Sequence, residues 1–110
     1  MPNMKIYIDA DRYAAAVGAV RNLLLPLRGM LCHELNVDVT ACQFAVLEVL
    51  GLEDQPQINV EILILPRPER TRERIIELCT LIRTMLADAT GLHVAVRSSM
   101  LDPQTYVALK

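Results

Sequence analysis

The sequence has few aromatic residues and none of the common catalytic motifs. Its 110 residues include no tryptophan, and only Tyr7, Tyr13, Phe44 and Tyr106 are aromatic. With four glycines, the chain has no glycine-rich loop that would cradle a phosphate. It also lacks a Ser-His-Asp arrangement, a Cys-x-x-Cys pair and a Walker loop. Nothing in it therefore indicates a nucleotide site, a metal site or a cofactor.

Strong net charge and long apolar runs are also missing. Eleven basic and thirteen acidic residues give a net charge of −2, and a weakly acidic chain without clustered aromatics is a poor nucleic-acid binder. The chain has no run of about 18 uncharged apolar residues, so no membrane-spanning helix is predicted. The amino terminus has no basic region followed by an apolar stretch, so we expect no signal peptide.

The cysteines are odd in number and fall in apolar stretches. Cys32, Cys42 and Cys79 are typical of reduced core thiols, which predicts a cytoplasmic protein. One of them belongs to the run Cys32-His33-Glu34. Adjacent residues on a helix point in different directions, so this run is not expected to form a nucleophile pair or to bind a metal.

Aliphatic residues are what the chain has in abundance. Apolar residues make up 53% of it, and the mean hydropathy is +0.30. A domain of this length has too little interior for so much aliphatic surface, so some of it is expected at a subunit interface. The alternative is a monomer with a core rich in leucine, isoleucine and valine.

The pattern of apolar residues predicts a β-α-β order that occurs twice. The predicted strands cover 4–8, 41–50, 58–65 and 92–100, and the predicted helices cover 13–35 and 69–89. The strand at 41–50 is apolar enough to be covered on both faces. The tail, 105–109, is predicted to pair as an edge strand.

Single residues predict where these elements begin, end and bend. Asp9 or Asp11 is suited to cap the first helix, and Gly91 to end the second. Pro26 and Gly29 predict a kink or a break within the first helix. Pro68 suits the first turn of the second helix.

The fold class expected from this order is α/β (α+β), with a four-stranded mixed sheet and two helices on one face. One domain spans 1–110, with a first unit at 1–50, a connector at 51–57 and a second unit at 58–110. No element in the sequence covers the other face of the sheet. We expect its strands to be apolar on both sides, so that a partner subunit covers them.

Pro2 is the residue most informative about function. If Met1 is removed, Pro2 becomes a free secondary amine, and an α-amino group has a pKa of about 7.7–8.0. Burial disfavours the charged form and lowers this pKa, which would make the amine a general base near neutral pH. If Met1 is retained, the nitrogen is a tertiary amide and cannot act in this way. The alternative is that a proline at position 2 has no functional role.

The residues after Pro2 resemble the tautomerase superfamily, which includes 4-oxalocrotonate tautomerase, malonate semialdehyde decarboxylase and the macrophage migration inhibitory factor group. Pro2 opens a strand, and Arg12 follows ten residues later, where the oxalocrotonate enzymes have a carboxylate-binding arginine. Residues 35–44 resemble the family's joint between helix and strand, and the second unit resembles its fused members. This resemblance implies a homotrimer in which Pro2 is the general base and Arg12 binds substrate.

One position departs from the family pattern. The oxalocrotonate enzymes have a second arginine where this chain has Gln43, and a neutral amide cannot form a bidentate charged pair. We therefore do not expect 4-oxalocrotonate to be the natural substrate. By resemblance to fused members, Arg67 and Arg70 would bind a carboxylate near Pro2, helped by a helix N-terminus. Alternatively, Arg70, Arg72 and Arg74 form ordinary helical pairs with nearby glutamates.

The function expected from the sequence and its resemblance is a tautomerase-like isomerase of a small 2-oxo or 2-hydroxy carboxylic acid. Pro2 would be catalytic, and Arg12, Arg67, Arg70 and Gln43 would bind substrate. No cofactor, metal, nucleic acid or membrane is expected to take part. The alternative is a non-catalytic ligand-binding or oligomeric protein of tautomerase or ferredoxin-like fold.

Overall fold

The structure is a computed structural model that describes residues 2–110. Met1 lies outside the described residues, so its removal stays a prediction. In chain order the elements are β1 (Asn3–Asp9), α1 (Ala10–Leu35), a short 3₁₀ helix (Val39–Ala41), β2 (Gln43–Val49), β3 (Ile58–Ile64), α2 (Arg72–Thr90) and β4 (Val94–Met100). The predicted fold class is confirmed.

The four strands form one mixed sheet in the order β2-β1-β3-β4. β1 is parallel to β2, β3 is parallel to β4, and the two central strands are antiparallel. β1 and β2 therefore start at the end of the sheet where β3 and β4 finish. We call this end, with Pro2, Gln43 and Ile64, the proline end. The other end, with Asp9 and Ile58, is the far end.

The core lies between the helices and one face of the sheet. It contains alternate residues of the two central strands and one stripe of each helix, as the 2-residue and 3.6-residue periods require. Each fully buried aliphatic side chain contributes roughly 1.5–3 kcal/mol. The core residues are Met4, Ile6, Ile8, Ala16, Val20, Leu27, Leu31, Leu35, Ile58, Val60, Ile62, Ile64, Leu78, Ile82, Leu86 and Val94.

α1 begins at a side-chain cap and runs without a break to the proline end. The Asp9 carboxylate accepts a hydrogen bond from the backbone N–H of Asp11 at 2.9 Å, and Asn36 ends the helix in the left-handed region at φ 52°. The break predicted at Pro26 and Gly29 is wrong. Pro26 and Asn22, one turn earlier, are both exposed, so water can reach the carbonyl that lacks its helical partner.

Within residues 2–110, one helix is long and apolar enough to cross a membrane, and this helix is α1. A core helix of a soluble protein passes the same test. Five α1 residues are buried in the core, namely Ala16, Val20, Leu27, Leu31 and Leu35. Packing against the sheet therefore accounts for part of its apolar composition.

α2 starts three residues later than predicted. Thr71 is its N-cap and accepts a hydrogen bond from the N–H of Arg74 at 3.3 Å. Pro68 therefore precedes the helix, and a turn closes there as the N–H of Arg70 donates to the carbonyl of Arg67 at 3.0 Å. Thr71 offers a capping oxygen that Pro68 lacks. The predicted end is confirmed, because Gly91 adopts φ 70°, a conformation that suits glycine.

The strand predicted to be covered on both faces is instead an edge strand. β2 lies at one side of the sheet, and none of its residues is buried. Its composition predicted a strand, but strand order is decided by tertiary pairing. The edge strand predicted in the tail is also wrong. Residues 103–105 form a turn, and 106–110 have no regular structure.

The uncovered face of the sheet is more polar than predicted. The register places Lys5, Tyr7 and Glu61 on this face, together with Arg97. Arg97 Nη1 donates to the side chain of Asn59 at 3.1 Å. Along the central strands, apolar and polar residues alternate, so that one face of the sheet packs in the core and the other face is polar. The expectation that this face is apolar is therefore wrong for its centre.

Candidate functional site

Pro2 is buried at the start of β1. Its carbonyl accepts a hydrogen bond from the N–H of Gln43 at 3.0 Å, so the first residue of β2 fixes its backbone. The Gln43 side chain is exposed and shares the uncovered face with Asn3, its partner in register. Pro2 and Gln43 are thus neighbours in the sheet.

Arg70 is the one buried charged residue of the described chain, with 7% of its surface exposed. Its Nη1 donates to the carbonyl of Leu65, and its Nη2 donates to the carbonyl of Leu35 at 3.2 Å. Leu35 is the last residue of α1, so the guanidinium satisfies a carbonyl that has no helical partner. Burial first, and the nearby charge of Arg67 second, lower the pKa of Arg70.

Arg70 has more donors than these two bonds use. A guanidinium has five N–H groups, and only two of them make the bonds described. The buried Nε has no hydrogen-bond partner, which is uncommon in a folded protein.

Arg67 also contacts the end of α1, but it is exposed. Its Nη1 donates to the carbonyl of Asn36 at 3.3 Å. The two arginines therefore converge on one helix terminus, where positive charge complements the helix dipole. Most donors of Arg67 remain directed to solvent.

A cavity of about 240 Å³ lies at the proline end, between the end of α1 and the start of α2. Arg70 and Arg74 line it, and so do Glu34 and Glu69. The first turn of α2 adds free backbone N–H groups, which favour an anion. The cavity thus combines cationic groups with two carboxylates, and Pro2 is not among its lining residues.

Arg12 lies at the far end of the sheet. It is in the first turn of α1, just after β1 ends, so the length of a seven-residue strand, roughly 20 Å, separates it from Pro2. It is exposed beside three carboxylates, Asp9, Asp11 and Glu53. Within one chain, Pro2, Gln43, Arg67 and Arg70 lie toward the proline end, and Arg12 lies at the far end.

Two cysteines near Pro2 were not predicted as a functional group. Cys32 of α1 and Cys42, which precedes β2, have their sulfurs 3.5 Å apart. Both are half-buried rather than core residues. Their ten-residue spacing gives no local signal, because the chain between them leaves a helix and turns back toward it.

No family profile matches the sequence, and the comparison with curated proteins found no match. Solved structures, by contrast, match over nearly the whole chain. A protein of unknown function from Vibrio cholerae matches with a TM-score of 0.76 and 18% identity, covering 97% of this chain and 83% of that one. A macrophage migration inhibitory factor-like protein from Entamoeba histolytica gives 0.72 and 11%, covering 97% and 94%.

A third match is a fused 4-oxalocrotonate tautomerase described as a symmetric trimer. Its TM-score is 0.68 at 15% identity, and the match covers 97% of this chain and 90% of that one. The predicted resemblance is confirmed at the level of the fold, since this chain has the fold of the tautomerase superfamily. At such low sequence identities, similarity between structures shows a shared fold and nothing more.

Proposed function

We propose that the protein is a tautomerase-like isomerase of a small 2-oxo or 2-hydroxy carboxylic acid, with Pro2 as its general base. The observation that supports this most directly is the burial of Pro2 at the end of the sheet where Gln43, Arg67 and Arg70 lie. The fold is shared with a fused 4-oxalocrotonate tautomerase. Removal of Met1 is a requirement of the proposal.

The reaction would need only proton transfer. The Pro2 nitrogen takes the proton from the hydroxyl of an enol and returns a proton to carbon, so atoms balance without a cofactor or metal. Burial disfavours the charged amine and keeps the nitrogen available near neutral pH. The proline ring restricts rotation of the backbone that carries the nitrogen.

The substrate carboxylate would be held by arginine at the proline end. Arg67 is exposed and uses one donor on Asn36, so it can make charge-assisted bonds, worth about 1.5–3 kcal/mol each. Arg70, whose Nη atoms are bonded to backbone carbonyls, would assist through its positive charge, and Gln43 would add a neutral hydrogen bond. Negative charge developing on the enolate oxygen would be stabilised by the same donors.

Arg12 can join this site only from another subunit, because it lies at the far end of its own sheet. We propose a homotrimer in which this contact forms. The symmetric trimer of the fused 4-oxalocrotonate tautomerase supports it. So do the exposed apolar residues at the edges and termini of elements, among them Leu47, Leu50 and Met100, which a partner would cover. A cytoplasmic location, predicted from the reduced thiols, belongs to the same proposal.

The competing proposal is a non-catalytic member of this fold that binds a ligand or only assembles. Arg67 and Arg70 already bond to backbone carbonyls, which gives both a structural role without any substrate. The two proposals differ in whether Pro2 performs chemistry.

The test is turnover of phenylenolpyruvate and 2-hydroxymuconate by protein whose N-terminal mass has been measured. We expect mature protein to lack Met1 and to convert at least one of these enols. Pro2→Ala should lower kcat, because the primary amine that replaces the proline nitrogen is no longer held by a ring. Cys79→Ser, a change on α2 away from Pro2, is the matched control and should keep full activity. Uniform retention of Met1, or full turnover by Pro2→Ala, overturns the proline mechanism.

A further inference from the structure

The three cysteines of the chain have different surroundings. Cys32 and Cys42 form a thiol pair with the sulfurs 3.5 Å apart, whereas Cys79 lies alone on α2 in the groove beside β4. All three are free thiols. Only the pair is close enough for the two sulfurs to join with a small movement, since a disulfide bond is about 2.05 Å long.

A small reagent can reach Cys42, one member of this pair. Cys42 lines a surface cavity of about 220 Å³, with Leu24, Leu25, Arg28 and Phe44. Both cysteines are half-buried rather than enclosed. The pair also joins two elements, because Cys32 belongs to the last turns of α1 and Cys42 directly precedes β2.

We propose that Cys32 and Cys42 are a redox-active dithiol, which a low-molecular-weight disulfide oxidises to an intramolecular disulfide beside Pro2. One cysteine sulfur attacks the reagent, whose S–S bond breaks, and a mixed disulfide forms as the first thiol leaves. The second cysteine attacks the bound sulfur, so that the protein S–S bond forms and the second thiol leaves. The two cysteine protons go to the two departing thiolates, and two electrons pass to the reagent.

The environment of Cys42 affects how fast its thiol can react. Burial first, and the neighbouring Cys32 second, raise the pKa of Cys42 to about 11. A thiol with so high a pKa has little thiolate at neutral pH and is a slow nucleophile.

Oxidation would act on the proposed active site through Gln43. Cys42 is bonded to Gln43, whose N–H holds the carbonyl of Pro2. Closing the sulfurs from 3.5 Å to a bond length pulls the start of β2 toward α1. A displacement of about 1 Å at a catalytic group can lower the rate 100-fold. This second step rests on the proposed function.

The test is to incubate the full-length protein with glutathione disulfide and to measure mass without reductant. Trypsin leaves Cys32 and Cys42 in one peptide between Arg28 and Arg70, because Arg67 precedes a proline, and leaves Cys79 in another. We expect the first peptide to lose two hydrogens and the second to stay reduced. Cleavage after Glu34, which lies between the two cysteines, should then leave two fragments joined until dithiothreitol is added.

Variants separate the dithiol from general oxidation. Cys42→Ser should trap glutathione on Cys32, and Cys79→Ser should form the disulfide as the parent chain does. A parent chain that only gains glutathione, or one that links Cys79, overturns the dithiol. Oxidised protein should turn over enol at least tenfold more slowly and recover with reductant. Unchanged turnover overturns the coupling to Pro2, whereas no turnover in reduced protein refutes the proposed function and leaves the mass result standing.

Discussion

The arginines at the two ends of the sheet have opposite surroundings. At the proline end, Arg70 is buried and both its Nη atoms donate to carbonyls, while Arg67 donates to the carbonyl of Asn36. At the far end, Arg12 is exposed beside Asp9, Asp11 and Glu53. An anion entering the far end would meet three carboxylates. The difference teaches that the arginines of the proline end hold backbone carbonyls, whereas Arg12 lies among carboxylates.

The largest effect expected from this comparison is on stability. Arg70→Met removes the donors to the buried carbonyl of Leu35 and the half-buried carbonyl of Leu65, and leaving a buried acceptor without a partner costs about 1–3 kcal/mol. We expect a loss of about 2–4 kcal/mol in the free energy of unfolding, measured by urea denaturation. Arg12→Met, at an exposed site, should change it by less than about 0.5 kcal/mol. Equal effects of the two substitutions would contradict the contrast between the ends.

Part of the fold could be predicted from the sequence. The alternation of Met4, Ile6 and Ile8 with polar residues predicted β1 correctly, and Asp9 and Gly91 predicted ends of the helices. These signals are local, because caps and periodicity depend on residues within one or two turns. The order of elements then followed from their spacing, which predicted the fold class.

The unpredicted features involve residues distant in sequence. Arg70 bonds to Leu35 across a separation of 35 residues, and it does so because α2 begins after it rather than before it. Had the helix started at Glu69, the helical pairs considered for Arg70 would have been available. The pairing of Cys32 with Cys42 and the edge position of β2 likewise depend on how the chain returns to the sheet.

The next effect concerns which chain supplies each arginine to the site. Arg67→Ala should lower kcat/KM tenfold or more, because charge-assisted hydrogen bonds to the carboxylate are lost. Arg12→Ala should lower it only if Arg12 reaches the Pro2 of a neighbouring subunit. If a substitution raises KM alone, that arginine binds the substrate and the transition state equally. If it lowers kcat, the arginine stabilises the transition state more than the substrate.

Mixed oligomers distinguish the two arrangements. Chains with Pro2→Ala and chains with Arg12→Ala are unfolded together, refolded together and assayed. Some mixed sites then have both native residues, so activity should return. The same mixture made with Arg67→Ala should not exceed the activity of the Arg67→Ala chains alone, because Arg67 and Pro2 lie at the same end of one chain. Recovery with Arg67→Ala, or none with Arg12→Ala, would refute this division between the ends.

The smallest expected effect comes from adding an arginine at the proline end. Gln43 stands where the oxalocrotonate enzymes have an arginine, and it is exposed beside Asn3. Gln43→Arg should therefore be accommodated without loss of stability and should add a charge-assisted bond in place of a neutral one. The difference, about 0.5–2 kcal/mol, corresponds to a two- to thirtyfold fall in KM for a substrate with a second carboxylate. A monocarboxylate such as phenylenolpyruvate should gain less, since Arg67 already serves its one anionic group. If both substrates gain equally, the arginine attracts anions in general, and the position of Gln43 does not decide which acid the site prefers.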